Sequence, residues 1–281
     1  MSLDDTLELE TIIEESSKPL TPVTVNSSLG YNESGFGTYT YVFDPTESGT
    51  HKLSINGQQL TVEVTDPNDI PDSGLLYDYR FGGDLIDRTG TQNLLEYGTL
   101  SYDNNSEFDS QSLSANGTDN GAYAELSLVD NYDVFGYVVA FYPRETGSNY
   151  QYVCGNNSLN GVISAASGDI DGGIYTGSTN FQKVTATGEW DTNSWNVVGY
   201  YVDDLNNEQG IYSDSSSNAT IDNLPDPVQD RNDTYWSVGT RTDDGSSFSN
   251  HLDTLVDIAL IYNNKQSIVN AVDIVADAYG V

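Results

Sequence analysis

The chain has 281 residues, of which 43 are acidic and 9 are basic, giving a formal net charge of −34 at pH 7. This charge repels nucleic acid phosphates and anionic membrane surfaces, so we expect neither nucleic acid nor a membrane as a partner. The 37% hydrophobic content and the 20 tyrosines argue against the disorder that strong acidity can indicate.

The acidic residues are spread along the whole chain, a pattern typical of proteins adapted to molar salt. At 1 M salt the Debye length falls to about 3 Å, so the self-repulsion of the chain is screened. We therefore expect a halophilic source and a fold that loses structure in dilute buffer.

Residues 1–22 form an acidic first segment whose leucines and isoleucines lie loosely at helical spacing. Both a short amphipathic helix and a flexible arm fit this pattern. The segment lacks the basic region and apolar run of a signal peptide, and no run in the sequence approaches the roughly 20 apolar residues of a membrane span. We expect no membrane insertion and no export by the usual secretory route, unless a leader has been removed.

Residues 23–66 carry strand signals. Two alternating runs meet at Asn56-Gly57, the strongest short signal for a hairpin, and the segment resembles part of a small immunoglobulin-like module. A segment of about 45 residues is close to the lower limit for independent folding, so we expect it to pack against another domain, another copy or a larger assembly. Residues 67–73, rich in Pro and Asp, predict a linker.

From residue 74 onward, short apolar runs alternate with turn signals at the spacing of a β-sandwich. The first run, residues 75–81, stops at Gly82-Gly83. The turn that follows, at residues 87–90, combines an Asp that can bond its own backbone with a Gly free to take positive φ. Residues 266–281 place apolar residues at helical spacing without proline, which predicts a terminal helix.

These features resemble the LamG-like, concanavalin A-type jelly-roll domains. The resemblance departs from the family pattern after Phe248, where Ser249-Asn250 replaces an expected glycine, and after the strand with Tyr201, where an Asn-Gly pair is missing. It spans residues 74–281 and implies an all-β jelly-roll sandwich with a short C-terminal helix, preceded by the immunoglobulin-like β module. The positions that carry it are Tyr79, Phe81, Asp87, Thr89, Gly90, Asn93, Gly98, Trp195, Val198, Tyr201, Asp203, Gly239, Phe248, Asp257 and Tyr262.

The sequence lacks the signatures of the enzymes that use this fold. Retaining glucanases of the jelly-roll type carry Glu-x-Asp-x-Glu on one strand, which places two carboxylates about 5 Å apart. That triplet does not occur here, and His51 and His251 have no Ser or Cys partner in a nucleophile motif. The single cysteine, Cys154, lies in a strand-like run and fits a buried hydrophobic residue. We predict that the chain is not an enzyme.

Calcium is the cofactor that the resemblance implies, because related jelly rolls often hold this ion where the first strand meets the last, and it binds carboxylate and carbonyl oxygens. The matching positions are Asp84 or Asp87 on the first side and Asp257 on the last. The alternative is that these residues are part of the acidic surface of a salt-adapted protein.

Glycan recognition would use loop aromatics and amides, because rings stack on the C–H surfaces of sugars and amides bond their hydroxyls. We predict Trp195, at the start of a strand, to be buried. The candidate ligand-binding residues are Tyr150, Asn156, Asn157, Tyr175 and Trp190.

The domain type is usually extracellular, an export signal is lacking and the composition suits high salt. Together these predict a virion surface protein of a virus of halophilic archaea: a capsid turret, decoration protein or tail fibre. Its N-terminal part would contact other virion proteins, copies would form a homo-oligomer, and the jelly roll would bind a host surface glycan or glycoprotein. The alternatives are a secreted carbohydrate-binding adhesin of a halophilic microbe and, third, an inactive relative of a polysaccharide hydrolase.

Overall fold

The computed structural model divides the chain into two units, Met1–Ile70 and Pro71–Val281, with the boundary inside the segment predicted as a linker. In the first unit it describes Ile70 and the backbone of the strands. In the second unit it describes residues 71–281 except 109, 127, 129–131, 145–150, 157–161, 167–168, 177–179, 188–189, 214–217, 223, 225–234 and 243–244, and only the backbone of strand residues 162–166, 175–176, 180, 218 and 221–222.

The first unit contains antiparallel strands. They are β1 (Leu7–Thr11), β2 (Val23–Ser27), β3 (Asn32–Gly35), β4 (Tyr39–Phe43), β5 (Gly49–Ile55) and β6 (Gln58–Val64). One sheet has the order β3-β2-β5-β6, and β1 pairs with β4. Strands β5 and β6 pair with Ile55 opposite Gln58, the register that an Asn56-Gly57 hairpin predicts.

The helix or arm predicted for residues 1–22 is wrong at β1. Leu7 and Leu9 alternate with glutamates at a period of two, and this period places both leucines opposite the aromatic residues Phe43 and Tyr41 of β4. Strand pairing therefore outweighs the loose helical spacing at these five residues. The rest of residues 1–22 lies outside the described residues.

The second unit consists of two antiparallel sheets and a C-terminal helix. The larger sheet has the order β19-β18-β17-β12-β23-β10-β9, with β7 also paired to β23; the smaller has the order β16-β15-β14-β13-β20-β11-β8, and β21 pairs with β22. The elements are β7 (Leu75–Arg80), β8 (Leu95–Tyr97), β9 (Ser101–Asp103), β10 (Ser112–Asn116), β11 (Gly121–Glu125), β12 (Val134–Pro143), β13 (Gln151–Asn156), β14 (Val162–Ala166), β15 (Asp169–Thr176), β16 (Asn180–Ala186), β17 (Asn196–Asp203), β18 (Glu208–Ser213), β19 (Asn218–Asp222), β20 (Tyr235–Val238), β21 (Arg241–Thr242), β22 (Phe248–Ser249), β23 (Asp253–Tyr262) and α1 (Lys265–Tyr279).

The core lies between the two sheets. The ring of Trp236 on β20 lies 5.7 Å from that of Tyr79 on β7 and 6.1 Å from that of Tyr137 on β12, measured between centroids. All three side chains are fully buried. Ala124 lies beside Trp236 on the neighbouring strand β11, and its small side chain leaves room for the indole. Contact between the sheets is thus made by large rings, and a small residue beside Trp236 in its own sheet accommodates the indole.

Helix α1 packs on the outer face of the larger sheet, against β12 and β17. Its side chains Ile268 and Val272 lie over Gly136 and Gly199. A methyl group on Gly199 would lie 2.4 Å from Val272 Cγ2, and one on Gly136 would lie 2.6 Å from Ile268 Cδ1. The two glycines therefore let the helix approach the sheet closely.

The ends of α1 follow capping rules. The Asn264 side chain accepts a hydrogen bond from the Ser267 N–H at 3.2 Å, and Gly280 ends the helix with a left-handed φ of 66°. The predicted terminal helix is confirmed, beginning one residue before the predicted segment.

Two asparagines near the positions where the resemblance expects a glycine have a left-handed backbone conformation. Asn250, after β22, has φ 53°, and Asn207, in the turn between β17 and β18, has φ 52°. Asparagine is the non-glycine residue that best tolerates this left-handed region, because its short side chain can bond locally. The departures from the family pattern therefore preserve the turns.

Candidate functional site

The smaller sheet carries aromatic rings on its outer face at the β8–β11–β20 end. On β11, Ala122 and Ala124 point into the core, so Tyr123 and Glu125 point outward. Tyr123 pairs with Leu95 of β8, and Glu125 pairs with Tyr235 of β20. Tyr97 and Phe248 continue this surface. We call Tyr97, Tyr123, Tyr235 and Phe248 the aromatic face.

The four rings contact one another and remain half-buried. The centroids of Tyr97 and Phe248 lie 3.6 Å apart with nearly parallel planes, and Phe248 meets Tyr123 edge-on at 5.1 Å. Tyr123 lies 6.3 Å from Tyr235. Aromatic pairs in such geometries hold each other in place, which makes a stiff surface rather than four independent side chains.

His251 extends the surface at the Tyr97 end, where the two rings lie 6.0 Å apart and nearly parallel. Burial lowers the pKa of His251 below its usual value, although the backbone of Asn120 and the charge of Asp119 act in the opposite direction. The imidazole is therefore neutral at pH 7 and adds a ring rather than a positive charge.

A pocket of about 510 Å³ opens beside the rings. This volume falls within the roughly 300–1,000 Å³ typical of small-molecule sites. Leu95 is 55% exposed, so an apolar group is open to solvent here. The lining residues are Gln92, Leu95, Tyr123, Glu125, Tyr235 and Gly245.

The Asp87 turn holds one edge of this pocket. The Asp87 carboxylate accepts the Gln92 N–H at 3.0 Å, and the Tyr79 hydroxyl donates to the Gln92 carbonyl at 2.8 Å. Since Tyr79 belongs to the core, the backbone of Gln92 is fixed from the interior. The turn that carries the family resemblance thus positions a residue of the pocket.

The Asp87 side chain is almost completely buried and accepts five hydrogen bonds. Oδ1 accepts the N–H groups of Asp78 and Thr89 at 2.9 and 3.0 Å. Oδ2 accepts the Thr89 hydroxyl at 2.7 Å and the N–H groups of Thr91 and Gln92 at 2.9 and 3.0 Å. The carboxylate therefore organises the whole turn.

The two predicted ligand-binding residues whose side chains the structure describes, Asn156 and Trp190, do not form this site. Asn156 is fully buried, and Trp190 is 5% exposed and packs near Phe141, with centroids 6.4 Å apart. Both predictions are wrong for a surface site, because these side chains lie in the core. Tyr150 and Asn157 lie outside the described residues, as does the side chain of Tyr175.

The prediction that Trp195 is buried is also wrong. It is half-buried rather than buried, because it lies just before the first residue of β17, where the strand leaves the larger sheet. Its ring lies 4.7 Å from that of Tyr279, and its indole N–H donates to Asn105 at 3.3 Å. These contacts join a loop to the end of α1.

Asp257 is fully buried, and its carboxylate fastens the 106–108 loop to the end of α1. It accepts the Ser106 hydroxyl at 2.6 Å, the N–H groups of Glu107 and Phe108 at 2.8 and 3.2 Å, and the Tyr279 hydroxyl. Burial raises the pKa of Asp257 above its usual value, although all four donors act to lower it.

The three predicted calcium ligands do not fit a calcium site as they stand. Asp87 and Asp257 direct their oxygens at N–H and O–H groups, which compete with a cation for the same lone pairs. The Asp84 carboxylate accepts the Ile86 N–H, and its Oδ1 lies 3.6 Å from Nη2 of Arg88. Within the described residues, no three carboxylate, His or Cys side chains come together as metal ligands.

No protein-family model matches the chain, and no curated protein sequence matches it. Solved structures do match. The binding domain of botulinum neurotoxin DC, in complex with SialylT, superposes with a TM-score of 0.57 and 12% identity over 75% of this chain and 52% of its own. Domain 4 of AbnA, a GH43 extracellular arabinanase from Geobacillus stearothermophilus, in complex with arabinotriose, superposes with a TM-score of 0.52 and 17% identity over 72% of this chain and 100% of its own.

This chain has the β-sandwich fold of these two structures. The prediction of an all-β jelly-roll sandwich with a C-terminal helix is confirmed. The match spans about half the length of the neurotoxin binding domains, 52% for the one above. Among the described residues, no helix is long and apolar enough to cross a membrane.

Proposed function

We propose that the chain recognises glycans and that the aromatic face, with its adjoining pocket, is the binding surface. The observation that carries this proposal is the set of four mutually packed, half-buried rings beside a pocket of about 510 Å³. Ring faces stack on the apolar C–H surfaces of sugars, while the amide of Gln92, the carboxylate of Glu125 and the tyrosine hydroxyls can bond sugar hydroxyls. Two structures of the same fold, solved with arabinotriose and with SialylT, support the proposal.

Binding suits this pocket better than hydrolysis does. Most glycosidases need two carboxyl groups about 5–9 Å apart, one of them to protonate the leaving group. Glu125 is the one carboxylate among the lining residues that the structure describes. The neurotoxin neighbour is a binding domain, and domain 4 of AbnA was solved with arabinotriose. We therefore propose a module that holds a glycan without cleaving it.

The test is a glycan array followed by calorimetric titration of the full chain in high salt. We expect Tyr123→Ala to weaken binding of the selected glycan about tenfold or more, which corresponds to about 1.4 kcal/mol for each factor of ten. Tyr212→Ala is the matched control, because Tyr212 is also half-buried and stacked, on Tyr201 of the larger sheet at 5.6 Å. Equal losses in the two variants, or no glycan bound at all, would refute the proposal.

We propose that this recognition takes place on the surface of a virion that infects halophilic archaea. The net charge of −34 and the wide spread of acidic residues support a high-salt setting. On the particle, the N-terminal unit would contact other virion proteins and copies would form a homo-oligomer. Light scattering of the full chain in about 3 M salt, where its charges are screened, should then give a defined oligomer.

Antibodies against the chain should also label purified virus particles. Labelling of microbial cells or culture medium in the absence of particles would favour the secreted adhesin instead. A monomer in the light-scattering measurement would remove the support for assembly through copies of the chain.

A further inference from the structure

The charge and hydrogen-bonding character of the pocket also restrict which sugars it can take. We infer that the site binds uncharged sugars and rejects acidic ones such as sialic or uronic acids. This inference rests on the proposed function of the site, and it adds a substrate class that depends chiefly on Glu125.

Glu125 lies where it must contact a sugar stacked on the rings. It is exposed at the end of β11, two residues after Tyr123 on the same face, and it pairs directly with Tyr235 of β20. Side chains opposite each other on antiparallel strands lie about 5 Å apart at Cβ, so a ring placed between Tyr123 and Tyr235 is within reach of the carboxylate. A second carboxylate, on the sugar, would then face a like charge at close range.

The described residues that line the pocket do not compensate this charge. Lysine and arginine are absent from the described lining residues. His251, beside Tyr97, has its pKa lowered by burial and is neutral at pH 7. Asp119 is close enough to His251 to influence its pKa, so this end of the surface adds a further negative charge.

The hydrogen-bonding capacity of the pocket edge favours hydroxyl groups as well. An ionised Glu125 only accepts hydrogen bonds, and the Gln92 side chain already donates from Nε2 to the Asn93 carbonyl at 3.1 Å. The tyrosine hydroxyls can donate as well as accept, so the Glu125 oxygens are the groups that distinguish the two kinds of sugar. A sugar hydroxyl can donate to these oxygens, whereas a sugar carboxylate only accepts and would leave them unpaired.

The experiment titrates the full chain with pairs of oligosaccharides that differ only in an added sialic acid or in oxidation of one hexose to its uronic acid. We expect each neutral member to bind at least about tenfold more tightly than its acidic counterpart. Glu125→Lys should remove or reverse this preference. Glu96→Lys is the matched control for charge, because Glu96 is exposed on β8 but is not among the pocket lining residues, and it should keep the preference.

The outcomes separate the inference from the proposed function. If acidic members bind as well as or better than neutral ones and Tyr123→Ala abolishes that binding, the glycan site stands and the neutral preference is refuted. If Glu125→Lys and Glu96→Lys change the preference equally, overall charge rather than Glu125 is responsible, and the inference is also refuted. If no pair binds, the proposed function fails and the inference fails with it.

Discussion

Replacing Asp87 tests whether one carboxylate organises both the jelly-roll turn and the edge of the pocket. Asp87→Ala removes five hydrogen bonds and leaves the Asp78 N–H buried without a partner. An unsatisfied buried donor costs about 1–3 kcal/mol, and the four donors that can regain water cost roughly 0.5–1 kcal/mol each. The free energy of unfolding should therefore fall by about 3–7 kcal/mol.

A loss of this size is a large part of the roughly 5–15 kcal/mol by which ordinary domains are stable. Urea denaturation in high salt, followed by circular dichroism and tryptophan fluorescence, measures it. Asp87→Asn should fall between the parent and Asp87→Ala, because its amide keeps one oxygen but turns an NH₂ group toward other donors. Glycan affinity should weaken in Asp87→Asn even where the variant is folded, since the Gln92 N–H loses part of its support.

Asp84→Ala is the control, because it removes the same charge three residues earlier in the same segment. Asp84 is half-exposed and makes an ion pair with Arg88 at 3.6 Å, so its loss should cost less than about 1 kcal/mol. If the two alanine variants unfold at the same urea concentration, the five hydrogen bonds do not organise the turn and the reasoning is refuted.

Three further predictions concern the helix, a buried acid and a turn. Gly199→Ala should cost about 1–3 kcal/mol by overpacking against Val272, and adding Val272→Ala should recover part of it, so strictly additive losses would argue against the contact. Burial raises the folded-state pKa of Asp257, so its contribution to stability is complete below the unfolded value near 3.8 and is lost as pH rises through the folded value. Asp257→Asn should accordingly gain in melting temperature relative to the parent between about pH 4 and pH 7, and parallel curves would contradict this. Asn250→Gly should be neutral or slightly stabilising and Asn250→Val should cost about 1 kcal/mol or more, whereas equal values would show that the left-handed φ of 53° is not strained for valine.

Most of the fold can be predicted from the sequence, because the residue patterns that indicate strands, turns and the helix are local. Alternating runs separated by turn residues predicted most strands, and the 3.6-residue spacing after residue 265 predicted α1. The N-terminal leucines show the limit of this reasoning. Leu7 and Leu9 fit a strand as well as a helix, and only pairing with β4 decides between them.

The candidate site could not be predicted from the sequence in the same way, because its rings come from four separate strands. Tyr97, Tyr123, Tyr235 and Phe248 lie up to 151 residues apart. The first three meet through the order of the smaller sheet, and Phe248 joins them from the separate β21–β22 pair. On β11 the alanines point inward and Tyr123 points outward, and the sequence alone does not distinguish an outward tyrosine of a surface from an inward tyrosine of the core. In contrast, Trp190 looked like a loop aromatic and is part of the core.

The position of α1 gives the second unit two unlike sides. The helix covers the outer face of the larger sheet at β12 and β17, while the smaller sheet leaves the aromatic face open. A module with one covered and one open side can present its ligand site in only one direction. Copies fixed in the same orientation to a common support would either all display the site or all conceal it, so orientation would decide how many sites are available to a multivalent ligand.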